Sequence, residues 1–127
     1  MFCFLYYLSM FSSQPVDFPV RLVGGAHNCS GRVEIFFGGR WGTVCHNHWD
    51  WQDARVVARE LGCGAVLYAP GGAHFGQGTG DILLDWVQCS GREAKLSHCR
   101  RPGIGASISC GHNNYASVVS AGTVNSL

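Results

Sequence analysis

The chain has 127 residues, nine Lys or Arg against eight Asp or Glu, and a formal charge of +1. That length suits one modest core and is too short for two conventional ones, and the balanced charge supplies no global field to draw the chain onto nucleic acid or an anionic membrane. Only 13% of residues are charged while 18 are glycine, and there are seven cysteines; this favours short strands and turns over long charged helices and an oxidising compartment in which bridges supplement a small core.

Residues 1–19 read as an apolar leader followed by a linker. Met1 to Phe11 has the length of a signal-peptide h-region, but no Lys or Arg precedes it and no small-x-small cleavage site follows, so an uncleaved tail is the alternative. Eleven residues fall short of the roughly 20 that a membrane-spanning helix needs, and nothing downstream is apolar for long enough. Cys3 lies in this leader. Setting it aside leaves Cys29, Cys45, Cys63, Cys89, Cys99 and Cys110, an even set in which the pattern alone leaves fifteen connectivities open.

The domain is predicted over residues 20–120. Val20 to Val23 reads as a strand ended by Gly24 and Gly25. Val33, Ile35 and Phe37 then alternate with Arg32, Glu34 and Phe36, and Gly38-Gly39 leads into Arg40 to Cys45: a hairpin with a turn that needs positive φ. In Asp50 to Leu61 the period changes, with Ala54, Val57, Ala58 and Leu61 on one face and Arg55, Arg59 and Glu60 on the other. Asp50 is placed to cap this helix, Asp53 to sit near its positive end, and Gly62 to follow its C-terminus. Gly71 to Gly80 (GGAHFGQGTG) reads as a loop packed around Phe75. A strand is predicted over Ile82 to Gln88, a helical turn over Glu93 to Leu96, a last strand over Ser117 to Ser120, and a tail over 121–127. No repeat is present, and one sheet cradling one main helix is the simplest arrangement.

With these elements in place, the sequence resembles a scavenger receptor cysteine-rich domain of the eight-cysteine kind, group B. The resemblance is carried by VRLVGG (20 to 25), CSGRVEIFF (29 to 37), WGTVC (41 to 45), WD with DA (49 to 54), ELGCG (60 to 64), APGGAHFGQGTG (69 to 80), CSGREAKLSHC (89 to 99) and SCGH (109 to 112). It implies an α+β fold, a small curved sheet cradling one helix and stapled by disulfides. It also implies the pairs Cys29–Cys63, Cys45–Cys110 and Cys89–Cys99. The family's fourth bridge would join the positions of Ala58 and Ser120, and both of its ends are missing here. The implied function is recognition, in innate immunity, of extracellular proteins or microbial polyanions by a secreted or otherwise extracellular domain. The alternative is a degenerate relative with little binding activity.

Many members of that family hold a divalent cation through grouped carboxylates. Where two acidic residues are common after the second cysteine this chain has His46 and Asn47, near the end it has Asn114 and Tyr115, and beside Asp85 it has Trp86. Asp85 alone supplies too little negative charge for a calcium or magnesium site, and a loop hydrogen bond explains it equally well. If Cys45 pairs with Cys110, His46 and His48 approach His112 and become candidates for a transition metal, although the spacing matches no established zinc motif. Arg92, Lys95, Arg100 and Arg101 surround the loop that a Cys89–Cys99 bridge would close, and form the candidate patch for an anionic glycan, with plain solvated charge as the competing reading. Asn28 heads an N-x-S glycosylation sequon. For catalysis there is little: the six cysteines are better explained as bridges than as nucleophiles, GQGTGD lacks the Lys-Ser/Thr of a phosphate loop, and capping explains Asp50 and Asp53.

Overall fold

The computed structural model describes residues 16–78 and 80–122; the leader with Cys3, Thr79 and residues 123–127 lie outside the described residues. Six strands, one helix and one 3-10 turn follow in order: β1 (Val20–Gly24), β2 (Ser30–Phe37), β3 (Arg40–Val44), α1 (Trp51–Glu60), β4 (Val66–Tyr68), β5 (Ile82–Leu84), the 3-10 turn Leu96–His98 and β6 (Ser117–Ser120). The sheet runs β4-β6-β2-β3-β5, with β1 paired to β2. This is the α+β arrangement of one curled sheet around one helix.

β2 organises the sheet because it is long enough to serve three partners. β1 lies antiparallel along one edge, from Val20 opposite Ile35 to Gly24 opposite Gly31. The other edge is divided: β3 takes Glu34 to Phe37 and β6 takes Ser30 to Arg32. Between them the chain before β6 bridges the gap, its Ala116 accepting from Val33 at 2.9 Å and donating to Val44 at 2.8 Å. The hairpin turn has Gly38 and Gly39 at φ of 66° and 83°, the left-handed pair that the strand twist demands. Gly42 is needed for another reason: a Cβ there would lie 2.5 Å from the Leu83 side chain, so its absence lets β3 and β5 approach.

The helix is defined at both ends as its sequence predicts. Asp50 accepts from the N–H groups of Gln52 and Asp53, and Asp53 returns a bond to the Asp50 N–H, a complete capping box. Gly62 follows at φ 69°. The buried face carries Ala54, Val57 and Ala58 but also Val56 and Asp53, while Leu61 is only partly buried. Of these, Ala54, Val56 and Val57 close on Val20, Leu22, Val33, Ile35, Val44 and Leu84 from the sheet, on Val87 just beyond β5 and on Leu96 of the 3-10 turn. Each fully buried branched aliphatic contributes about 1.5–3 kcal/mol.

Five local readings change. The core reaches back beyond Val20, because Phe18 is 3% exposed and packs within it, so residues 16–19 are structural and not a linker. β5 ends at Leu84, well before Gln88, and the helical turn lies at Leu96–His98, one turn later than the sequence suggests. Phe37, grouped by alternation with Val33 and Ile35, is exposed at the hairpin tip. Glu34 lies on the opposite side of the pleat yet is buried, because Arg21 (2.7 Å) and Arg32 (3.0 Å) fold over it and supply the compensation a buried carboxylate requires.

Candidate functional site

Among the described residues three bridges are present: Cys29–Cys63 joins the start of β2 to the end of the helical segment, Cys45–Cys110 joins the end of β3 to the last long loop, and Cys89–Cys99, ten positions apart, closes the loop that carries the 3-10 turn. Ala58 and Ser120, the positions of the absent fourth bridge, are both buried, on elements that pack together. The Ser120 hydroxyl donates to the Cys29 carbonyl, so a polar contact stands where the resemblance leads one to expect a bridge.

The positions where the resemblance leads one to expect acidic residues make three separate sets of hydrogen bonds, around Asp85, His46 and Tyr115. Asp85 is fully buried, and its carboxylate accepts from Asn47 Nδ2 (3.1 Å), the Ser109 N–H (2.9 Å) and the Trp86 N–H (2.8 Å). A carboxylate at position 47 would repel Asp85; the amide donates to it. His46 Nδ1 accepts the Gly72 N–H at 2.8 Å and its Nε2 meets the Asn114 amide at 3.2 Å. Tyr115, fully buried, bonds through its hydroxyl to His112 Nδ1. Asp85 thus makes the loop hydrogen bonds that its sequence context allowed.

The candidate transition-metal set is not assembled. His46 is held between Gly72 and Asn114, His48 stacks on Trp86 with ring centroids 5.2 Å apart, and His112 is held by Tyr115. Among the described residues, no histidine joins a group of three ligating side chains; the two such groups are Cys45, Asp85 and Cys110, and Cys89, Glu93 and Cys99. In both groups the cysteines are bridged, and a disulfide sulfur is not the thiolate a metal requires.

The basic cluster also divides. Lys95 pairs with Asp17 at 3.1 Å. Arg101 is half-buried: its guanidinium lies 5.2 Å from the Phe18 ring centre and donates to the carbonyls of Val16 (3.0 Å), Ser97 (3.2 Å) and Pro102 (3.2 Å). It therefore fastens the incoming chain to the loop after the 3-10 turn, a role with no local sequence signal. Arg92 and Arg100 are the exposed remainder. Asn28 is exposed in the turn between β1 and β2. Close to it, Ala26, Ser30, Tyr68, Ala69, Pro70, His74, Phe75 and Val119 line an open, largely apolar groove of about 570 Å³. Sequence reasoning placed Phe75 in this loop but missed β4, which supplies the wall carrying the exposed Tyr68.

Asp53 is a second buried carboxylate that ties two segments together. It is 1% exposed and accepts the Cys89 N–H at 2.7 Å and the Asp50 N–H at 2.9 Å. Burial pushes its pKa up to about 7, against the opposing pull of those two backbone donors. Its geometry is that of a structural tie between the helix N-terminus and the Cys89–Cys99 loop.

Comparison with known proteins agrees with this architecture. Residues 23–121 match the family model described as scavenger receptor cysteine-rich domain. Galectin-3-binding protein of Mus musculus is 52% identical over 103 residues, 81% of this chain and 18% of that protein, and macrophage scavenger receptor types I and II of Mus musculus is 48% identical over 99 residues, 78% of this chain and 21% of that protein. The chain thus spans about a fifth of the length of these relatives. Among solved structures, the third SRCR domain of murine neurotrypsin superposes with a TM-score of 0.74 at 39% identity, covering 82% of this chain and 96% of that one. The SRCR domain of mouse MARCO in its dimeric form gives 0.66 at 37% identity, covering 80% and 94%. With its bridges, sheet and helix arranged as described, the chain belongs to the scavenger receptor cysteine-rich domain family.

Proposed function

We propose that this chain is an extracellular ligand-recognition domain that binds proteins or polyanionic glycans and carries out no chemical step. The observation that supports this reading is where the reactive side chains go. The six domain cysteines are bridged, Asp53 and Asp85 are buried and bonded to backbone donors, and His46 and His112 are held by neighbours. A scaffold that spends its acids and thiols on its own loops leaves its surface for contact, and within one fold function follows the surface. Galectin-3-binding protein and a macrophage scavenger receptor are among the relatives, and a partner of either kind, protein or polyanion, suits this chain.

The intact core also supports a working domain over a degenerate one, since the position of the missing bridge is closed by packing and by the Ser120 hydroxyl bond. Expression through a secretory pathway tests both. A soluble product with three bridges that binds saturably on an array of extracellular proteins and glycans is the expected result. Retention and degradation of the chain, or folded protein with no binding on any array, would favour the degenerate reading.

A further inference from the structure

We propose that the hollow bounded by Trp86, Gln88, Arg100, Arg101 and Pro102 is a subsite for one acidic sugar residue, bound without a bridging cation. This rests on the recognition reading above and names the site and the ligand chemistry. The hollow measures about 280 Å³, near the lower end of ligand pockets, which run from roughly 300 Å³ upward, and therefore suits a single ring.

Its floor is unusual. Trp86 has φ 57°, a left-handed conformation that a bulky residue adopts at a cost of about 1–3 kcal/mol. Two contacts hold it there: the Asp85 carboxylate accepts its N–H at 2.8 Å, and its indole Nε1–H donates to the Ser107 carbonyl at 3.1 Å. The His48 ring leans on the indole at 5.2 Å. His48 and Ser107 are themselves left-handed, at φ 62° and 59°. Three of the four non-glycine residues with positive φ among the described residues therefore meet at this one place. Its indole N–H is used in the Ser107 bond, so the partly exposed Trp86 brings an aromatic surface to the lining of the hollow, of the kind on which the C–H face of a sugar or a cation packs.

The walls are cationic and carry no acid. Arg101 is immobilised by three carbonyl oxygens and by Phe18, and among the described residues it has no carboxylate partner and its buried Nε no acceptor. Arg100 is exposed, and its backbone pairs with that of Gln88, which sets the amide and the guanidinium side by side on neighbouring strands of chain. Among the described residues, no Asp or Glu lines the hollow. An aromatic residue, a proline, an amide and the free Arg100 guanidinium, with the fixed Arg101 charge beside them, match a pyranose bearing a carboxylate or a sulfate. Guanidinium binds either anion in a forked, charge-assisted geometry, so no metal is needed to link them.

Oxidised, secreted protein is titrated with size-defined oligosaccharides of three kinds: uronate-bearing and sulfated, uronate-bearing without sulfate, and neutral. Binding is followed by calorimetry and by the indole N–H resonances, with and without EDTA. The expected result is binding of acidic chains only, unaffected by EDTA, with the Trp86 indole signal displaced. Arg100→Glu and Trp86→Ala should each weaken binding at least tenfold, and Arg92→Glu less than twofold. Because Trp86 sits on the Asp85 loop, Gln88→Ala, which alters an exposed side chain, provides a second variant and should weaken binding three- to tenfold without changing Tm. Equal losses for Arg92→Glu and Arg100→Glu, abolition by EDTA, or equal binding of neutral chains would overturn the subsite. Wild-type protein that binds no acidic oligosaccharide but does bind a protein on the array would overturn it too, while leaving the recognition reading in place. The two acidic probes separate carboxylate from sulfate as the recognised anion.

Discussion

The Asp53 carboxylate and the Cys89 N–H, 36 positions apart in sequence, meet at 2.7 Å inside the molecule. The same carboxylate closes the capping box through the Asp50 N–H, so one side chain secures the start of α1 and the entry to the Cys89–Cys99 loop. Asp53→Ala removes both acceptors and leaves two donors without partners, each costing about 1–3 kcal/mol where burial is complete. Urea unfolding of the oxidised protein, followed by tryptophan fluorescence, should show a loss of about 2–4 kcal/mol. A loss below 0.5 kcal/mol, the ordinary range for a surface substitution, would mean that the tie does not matter.

The same residue sets a pH dependence. Burial raises the folded-state pKa of Asp53 from 3.8 to about 7, so between those values the native state holds a proton that the unfolded chain has released. Stability therefore falls as pH rises from about 4 to about 7. In Asp53→Asn this decline should flatten. Asp17 works in the opposite sense: the Ser97 hydroxyl bond and then the Lys95 ammonium lower it to about 2. Its contribution is complete above pH 4 and is lost as pH falls toward 2, and Asp17→Asn should remove that acid limb. Melting temperatures between pH 2 and 8 for the three proteins check both signs.

Ala58→Cys combined with Ser120→Cys should form a fourth bridge, because both side chains are buried on packed elements. A disulfide contributes about 2–4 kcal/mol, offset by roughly 1 kcal/mol for the Ser120 bond to Cys29. The melting temperature should rise by several degrees, and mass spectrometry should find no free thiol at either position. Two free thiols with an unchanged transition would show that the pair is out of register.

Of the four basic residues around the Cys89–Cys99 loop, Arg101 should behave as a core residue and Arg92 as a surface one. Arg101→Ala forfeits three hydrogen bonds and the stacking on Phe18, a loss of about 2 kcal/mol or more. Arg92→Ala should stay within ~0.5 kcal/mol. Parallel denaturant titrations distinguish them.

Asn28 should carry an N-linked glycan when the chain passes through a secretory pathway. Its side chain is exposed in a turn, although Cys29 and Ser30 beside it are buried. Glycosidase treatment should lower the mass of the wild-type protein and leave Asn28→Gln unchanged.

The parts of this molecule legible in its sequence are those set by local rules. The Gly-Gly hairpin, the Asp50 cap, the Gly62 stop and β6 each announce themselves through turn chemistry or period, and the bridges came through a family resemblance that periodicity alone could not replace. β4 escaped because Val66–Tyr68 is three residues long, with Leu67 and Tyr68 both exposed, and is a strand only because β6 lies beside it. Phe18 escaped because two prolines flank the segment and its burial depends on Arg101, 83 positions later. Glu34 alternates with the buried Val33 and Ile35, and it is Arg21 on the neighbouring strand together with Arg32 that makes its burial tolerable. At the candidate site, the loss of acidic residues could be read directly. That Asn47, His46 and Tyr115 would turn to Asp85, Asn114 and His112 could not, since those partners meet only in three dimensions.

The placement of β6 between β2 and β4 has a consequence for biosynthesis. A nascent chain emerging in order can form the β1–β2–β3 hairpins and α1, but the gap along β2 stays open until Ser117 to Ser120 have left the ribosome. Until then two strand edges lack their partner, the kind of surface that recruits chaperones or other chains. A premature stop anywhere before Ser117 would not yield a shorter domain; it would yield a product that quality control should clear.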